Sequence, residues 1–257
     1  MHLVSVTFAK RSVMDRFAIR KDTIVSVLMK TVAIIPAAGS SKRMQNNISK
    51  QYLLLDGIPV LARTLGIFQR SPEIDEIFLI VPKRDVEFAR NGIVDRYGIS
   101  KVSNILAGGK ERQDSVRNGI DALRSDHDIV VIHDGVRPLI SEELVHSAIL
   151  EASRAQAVTV GVPVKDTVKS IDRHGIIVET LNRNHLWLTQ TPQAFERDII
   201  RKAYEAAYRD NYYGTDDASL VERIGVKVMM IRGSYDNIKI TTKDDIMLAE
   251  ILTRRLK

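Results

Sequence analysis

The run "VAIIPAAGSSKRM", residues 32–44, sets an apolar stretch of the kind a buried strand uses directly against a Gly/Ser turn that ends in Lys42 and Arg43. Small residues at Ala37, Ala38 and Gly39 let a ligand approach the backbone closely, and the two cations supply charge for a phosphate. The spacing is neither G-x-G-x-x-G nor G-x-x-x-x-G-K-[ST], so the usual dinucleotide and P-loop readings fail. Three other stretches carry residues of the same chemical kind. "AGGKERQDSV" joins Gly108, Gly109 and Lys110 to Ser115, whose hydroxyl suits a base or a ribose unless the segment is only a Gly turn ahead of a helix. "VVIHDGVRP" puts Asp134 where an apolar run ends, with Arg137 three residues on. Such an Asp is a metal or hydroxyl partner, or a helix N-cap. "NIKIT" reads as a strand with Lys239 on one face and Ile238 and Ile240 on the other, a place where a lysine is ordinarily solvated.

What positions these residues is a chain in which, from Lys30 onward, short apolar runs alternate with helix-period stretches. Strands are predicted at Thr31–Pro36, Ile74–Val81, Val102–Leu106, Asp128–His133 and Ala157–Val164. Helices are predicted near 59–70, 84–97, 112–124 and 142–155, the last N-capped by Ser141. The fold class is therefore α/β, a doubly wound, Rossmann-like, mostly parallel sheet, in which ligands sit beyond the carboxyl ends of the strands. Residues 164–183 break the rhythm. There, alternating apolar and polar residues flank an Arg-His-Gly turn, which predicts a β-hairpin arm. Beyond it come "LWLTQTPQAF", a helix near 196–208, a short helix from Asp216 ended by Gly225, a strand "KVMMI", and a last helix capped by Thr242 with Asp245 three residues on. With no Pro/Gly/Ser-rich linker, residues 31–257 read as one domain carrying that arm.

Composition bounds the function classes. The chain of 257 residues with 44% apolar content can fill one large α/β core. It has no cysteine, so a disulfide framework and a thiolate metal site or nucleophile are excluded, which fits a reducing, cytoplasmic setting. No apolar run approaches the roughly 20 residues of a membrane span, so no membrane partner is expected. Net charge is +6, and residues 1–30 hold six cations against two acids, so most of the surplus precedes the first strand. Charge alone would invite nucleic acid. The core has no aromatic-rich basic stripe, however, and nucleic acid is not expected as a partner. Residues 1–30 lack the pattern of a secretory signal and read as an extension outside the core, with Met29 a second candidate start.

Taken in order, "PAAGSSKRM", "KQY", "GGKERQDSV", "HDGVRP", "PVKDTVK", "TLNRNHLWLTQTPQ", "TDDAS" and "NIKITT" bring a resemblance that spans Thr31 to Leu256. The chain closely resembles the 2-C-methyl-D-erythritol 4-phosphate cytidylyltransferase family of the non-mevalonate isoprenoid pathway. The resemblance implies that a polyol phosphate attacks the α-phosphorus of CTP and pyrophosphate leaves. It implies Arg43 and Lys50 as transition-state stabilisers, Arg183 and Lys239 as the residues that position the attacking phosphate, and Mg²⁺ as a bridge across the triphosphate, with metal ligands unassigned. By the same matching Ala37, Ala38, Gly39, Gly109, Lys110 and Ser115 read the cytosine nucleotide. Asp134, Arg137, Thr167 and Thr215 hold the polyol phosphate or ribose, although Thr215 also stands where it could cap a helix. Arg183 reaches a neighbouring subunit's site from the arm in this family, which implies a homodimer with arm exchange. The chain departs from the family pattern at Ser41, where a glycine is frequent, at Ser49, where a proline is usual, and at Gly135-Val136, where two small residues are commoner. The nearest alternative is a ribitol 5-phosphate cytidylyltransferase, and "DTVK", "LNRNHLW" and "TDDAS" favour the methylerythritol enzyme.

Overall fold

The structure, a computed structural model, describes residues 29–39 and 49–255. Strand β1 (Thr31–Pro36) shows why its segment is apolar throughout: it is buried from Thr31 to Ile35, and successive side chains enter opposite cores. Val32 and Ile34 meet Phe78, Val116 and Phe195 on one face. Ala33 and Ile35 meet Leu65, Phe68 and Val145 on the other. A strand covered on both faces carries no polar alternation, and the physical cost of any polar residue there is the reason.

In chain order there follow the short hairpin β2 (Leu54–Leu55) and β3 (Ile58–Pro59), α1 (Val60–Arg70), β4 (Glu76–Val81), and α2 (Val86–Phe88) running into a π-helical stretch (Ala89–Asp95). Next are β5 (Val102–Ala107), α3 (Arg112–Asp121), β6 (Ile129–Ile132), α4 (Glu142–Ala155) and β7 (Ala157–Pro163). Ser141 caps α4 as expected, its hydroxyl accepting from the Leu144 N–H. The chain then forms the arm strands β8 (Lys169–Ile171) and β9 (Ile177–Thr180), the long β10 (Trp187–Glu196), α5 (Arg197–Arg209), α6 (Asp217–Arg223), β11 (Met229–Arg232) and α7 (Lys243–Arg255). The seven-stranded sheet has the order β11-β7-β10-β6-β1-β4-β5. Helices α1 and α4 bury one face, and α3, α5 and α6 bury the other.

The chain lays β4 and β5 to one side of β1 and β6 to the other, so the order reverses between β1 and β6. Loops leaving two strands on either side of such a reversal diverge, and the crevice between them is where α/β sheets bind ligands. The sheet is mostly parallel, with β10 antiparallel to both β6 and β7. Its ladder with β7 is interrupted between Gln190 and Gln193, leaving Thr191 and Pro192 outside the pairing.

One sequence expectation fails here: "NIKIT" is not a strand. Ile240 is fully buried in a small third core with Leu55, Val60, Val136 and Ala249, and its N–H donates to the Val136 carbonyl at 2.9 Å. The alternation is real, but it records one apolar anchor under an irregular run rather than a ladder. The arm is a separate two-stranded sheet whose turn is held by Asp172, whose side chain accepts from the N–H groups of His174 and Ile176, and by Gly175 at φ +82°. Its Ile171, Ile176, Ile177 and Val178 are each more than half exposed. Met29 packs against the larger core, and Lys30 forms a partly exposed ion pair with Asp126 at 2.7 Å at its edge. No helix among the described residues is long and apolar enough to cross a membrane.

Candidate active site

The crevice is built from small residues that let two loops touch. A Cβ on Gly108 would fall 2.2 Å from the Ala38 Cβ, and one on Gly109 would fall 2.3 Å from the Asp114 Cβ. Neither position tolerates a side chain without moving the β1 loop or the start of α3. At that start Glu111 and Asp114 satisfy each other's backbone N–H groups, and Ser115 accepts from Gly109 N–H and donates to Glu111 O, both at 3.1 Å. Ser115 is therefore spent on shaping the glycine loop rather than held out as a loose donor. The resulting cleft, about 240 Å³, is walled by Ala37–Gly39, Lys50, Gly109, Lys110 and Asp134.

Asp134 follows β6 and is buried, 6% exposed. It caps no helix. Its Oδ1 takes Arg112 Nε at 3.0 Å, its Oδ2 takes Lys239 Nζ at 2.9 Å, and Arg137 Nε lies 3.6 Å from the same oxygen. Burial pushes its carboxyl upward, yet Arg112, Lys239 and Arg137 together hold it well below the ordinary carboxylate range. Arg112 also reaches Asp217 at 2.8 Å, and Tyr204 donates its hydroxyl to that same carboxylate at 2.5 Å. Burial pulls the Arg112 guanidinium down, but the two carboxylates raise it well above its usual value.

A second cleft of about 240 Å³ opens beyond this cluster, walled by Arg137, Thr189–Thr191, Gln193, Thr215 and Asp216. Both clefts share Arg112, Asp134 and Lys239 in their walls. Counted together, the walls carry five cations (Lys50, Lys110, Arg112, Arg137, Lys239) against three carboxylates (Glu111, Asp134, Asp216). That surplus suits polyanionic ligands, and two adjoining chambers with a common charged wall suit two ligands that must meet.

The structure thus brings Ala37, Ala38, Gly39, Lys50, Gly109, Lys110, Ser115, Asp134 and Lys239 to one cleft and Arg137 and Thr215 to its neighbour. Thr215 is not a cap, because Asp216 fills that role by accepting from Ser219 N–H at 2.9 Å. Thr167 and Arg183 stand on the exposed arm, where Arg183 donates to Lys165 O at 2.6 Å, and neither walls these clefts. Arg43 lies outside the described residues. Sequence reasoning passed over Arg112 and Asp217, whose only signals were a basic residue opening the helix after a Gly-Gly turn and the second acid of "TDDAS". Among the described residues no cluster of three or more His, Cys, Asp or Glu could hold a metal. The oxygen donors Asp134 and Glu111 that face the first cleft are nevertheless of the kind a hard cation shares with phosphate oxygens.

The family model for IspD, 2-C-methyl-D-erythritol 4-phosphate cytidylyltransferase, matches residues 31–255. A 2-C-methyl-D-erythritol 4-phosphate cytidylyltransferase of Syntrophus aciditrophicus is 52% identical over 226 residues, covering 88% of this chain and 97% of its own. One of Geobacter metallireducens is 50% identical over 225 residues, covering 86% and 97%. Among solved structures, 4-diphosphocytidyl-2C-methyl-D-erythritol synthase of Anaerococcus prevotii superposes with a TM-score of 0.78 at 36% identity, covering 88% of this chain and 99% of that one.

Proposed function

The chain belongs to the 2-C-methyl-D-erythritol 4-phosphate cytidylyltransferase family, and from that premise we propose how its two clefts divide one nucleotidyl transfer. The reaction passes CMP from CTP to 2-C-methyl-D-erythritol 4-phosphate in non-mevalonate isoprenoid synthesis. An acceptor phosphate oxygen forms a bond to the α-phosphorus, the bond to the bridging oxygen breaks, and pyrophosphate departs with that electron pair. The first cleft takes CTP, with the close-approaching backbone of Ala37–Gly39 and Gly109 against the nucleotide and Lys110 beside it. The second takes the acceptor, with Arg137, Thr215 and Lys239 toward its phosphate and hydroxyls. The observation that supports this division is the wall the clefts share at Arg112, Asp134 and Lys239.

The attacking phosphate oxygen is already an anion near neutral pH, so no base is required. Asp134, fixed in its charged form by three cations, is suited to aiming Lys239 and Arg112 and not to taking a proton. Charge grows on the α-phosphoryl oxygens as pyrophosphate leaves; Lys50, on the wall of the first cleft, would stabilise it, as would Arg43 in the role that the family resemblance gives it. A bound Mg²⁺ would neutralise charge along the triphosphate, with Asp134 and Glu111 the carboxylates that face it. The apolar arm suits a second copy of the chain, into whose site Arg183 and Thr167 would extend; its exposed Ile171, Ile176, Ile177 and Val178 support that reading.

Pyrophosphate release with CTP is expected to show far higher kcat/KM for methylerythritol phosphate than for ribitol 5-phosphate, with turnover falling to background in EDTA and returning with Mg²⁺. Equal use of both acceptors would remove the acceptor assignment. Comparable rates with ATP or UTP would remove the assignment of the base-reading loops. Turnover that persists in EDTA would remove the metal.

A further inference from the structure

His133 is sealed in the core directly below the site, 0% exposed, with its ring 5.0 Å from that of Phe68. Four hydrogen bonds around it form a closed path, and a fifth ties that path to Asp134. His133 Nε2 lies 3.2 Å from Arg137 O, and Arg137 Nη1 donates to Asn237 O at 2.7 Å. Asn237 Nδ2 donates to Thr191 O at 2.8 Å, a carbonyl that the break in the β10 ladder leaves available. Thr191 Oγ1 lies 3.1 Å from His133 Nδ1, and the same oxygen accepts from Asp134 N–H at 3.1 Å. All five residues are buried, none more than 9% exposed.

The chemistry of the partners fixes each proton. A backbone carbonyl only accepts, so the nitrogen facing Arg137 O must carry hydrogen, and His133 is the Nε2–H tautomer. Its bare Nδ1 then accepts the Thr191 hydroxyl proton, while the lone pairs of Thr191 Oγ1 receive the Asp134 N–H. Every link is satisfied in one direction only. Burial, which pulls the His133 ring down to about 4, keeps it in the neutral form that this pattern needs.

We propose that His133 and Thr191 are positioning residues, and that this buried circuit sets Asp134, Arg137 and, two residues beyond Asn237, Lys239 in register with one another. The three charges come from two loops of very different sequence position; Arg137 joins them directly through Asn237 O, and Thr191, on β10, braces both, its hydroxyl against His133 and Asp134 and its carbonyl against Asn237. Losing one link leaves a buried partner unsatisfied and lets Arg137 and Lys239 drift apart, so the effect falls on acceptor binding before it falls on CTP. The inference rests on the assignment of Arg137 and Lys239 to the acceptor.

The test compares Thr191→Val, which is isosteric and lacks the hydroxyl, with Thr191→Ser, which retains it. Thr191→Val should raise KM for methylerythritol phosphate about tenfold with KM for CTP changed less than about twofold, and Thr191→Ser should stay near wild type. In the intact protein, long-range ¹H–¹⁵N spectra should show the His133 ring as the neutral Nε2–H tautomer, the signal being identified by its loss in His133→Gln. Thr191→Val should shift its Nδ1 resonance. A purely structural role would lower Tm and leave the KM of the folded fraction alone, which would overturn the proposal, as would an Nδ1–H tautomer. Arg137→Ala separates the two possible failures. If it raises acceptor KM while Thr191→Val does not, the circuit is wrong; if it leaves acceptor KM unchanged, the acceptor assignment is wrong.

Discussion

Two ionic clusters sit at opposite rims of the same sheet. At the amino-terminal rim, Glu76 receives Lys30 at 3.2 Å, Arg124 and Ser103, while Asp126 takes Lys30 at 2.7 Å and Arg124 at 3.3 Å. At the carboxyl-terminal rim, Asp134 receives Arg112, Lys239 and Arg137. Both hold a carboxyl far below its ordinary value. In the Glu76 cluster the charges cancel, two cations for two carboxylates, and the long side chains lie partly in water, where such pairs contribute little each. In the Asp134 cluster cations outnumber carboxylates, the carboxylate is buried, and two clefts open on it. A balanced cluster is finished by folding. A surplus of positive charge facing a cavity is finished only by an anionic ligand, and this imbalance marks the functional rim more surely than the depth of any one pKa.

The largest effect should come from removing surplus cations. Lys50→Ala and Arg43→Ala are each expected to lower kcat about 10³-fold with Tm almost unchanged, since these charges act on a transition state rather than on the fold, whereas Lys239→Ala, which strips a cation from buried Asp134, should lower activity and Tm together. Arg124→Ala at the other rim should do the reverse, holding kcat within about twofold while lowering Tm measurably. Steady-state pyrophosphate release and thermal melts on the same four variants measure both. If Lys50→Ala unfolds the protein as it silences it, the contrast between the rims is lost.

A second measurement asks whether the functional rim is complete in one chain. Arg183→Ala alone should be nearly inactive. Mixed with inactive Lys50→Ala under conditions that allow subunit exchange, it should recover about a quarter of wild-type activity, because half the dimers of a random pairing carry one intact site. Activity that stays at background after exchange is verified by mass spectrometry would assign Arg183 to its own chain's site or to the arm alone.

How far the sequence foretold this contrast depends on the range of the interactions. β1 and β6 were legible because strands buried on both faces must be continuously apolar, and the alternation of strands and helices implied a doubly wound sheet, but the reversal of order between β1 and β6 is visible only in the structure. The direction of β10 was not, since an apolar run has no polarity and antiparallel placement between β6 and β7 is decided by the arm that precedes it. Asp134 and the glycine loops could be named from their places beside strand ends, and Lys239 only from the family resemblance. Arg112 could not, because the carboxylates that give it meaning are 22 and 105 residues away. The same holds for Thr191 and Asn237, ordinary residues until the break in the β10 ladder sets them 58 and 46 residues from their partners. The strand expected at Lys239 failed for a related reason: two isoleucines about a lysine look alike whether a ladder or a single buried anchor imposes them.

The smallest effect separates the rims by acid alone. Glu76 is lowered from 4.5 to about 2, first by the Arg124 hydrogen bond, against burial, with Ser103 and Lys30 adding to it. A depressed carboxyl contributes stability that is complete above its unfolded value near 4.5 and is lost as the pH falls toward 2. His127 lies in the same cluster, its ring buried, its Nδ1 accepting from Arg124 N–H and its Nε2 3.6 Å from Glu76. Burial first, then Arg124, lowers it below 6.5, while Glu76 and Asp126 pull the other way. A histidine lowered on folding stabilises fully above 6.5 and less as the pH drops below that, because the unfolded chain takes the proton first. Tm should therefore be level from pH 8 to 6.5 and fall below that, most of the slope down to about 4 coming from His133, which burial lowers to about 4, with His127→Gln trimming that slope slightly and Glu76→Gln blunting the fall below about 4.5. The opposing carboxylates make the His127 contribution slight, a few degrees at most by melts in matched ionic strength. A Tm profile from pH 7 to 5 that His127→Gln leaves unchanged would mean that His127 is not held neutral. The balanced rim would then be indifferent to mild acid, and charge balance rather than burial would be its whole physics.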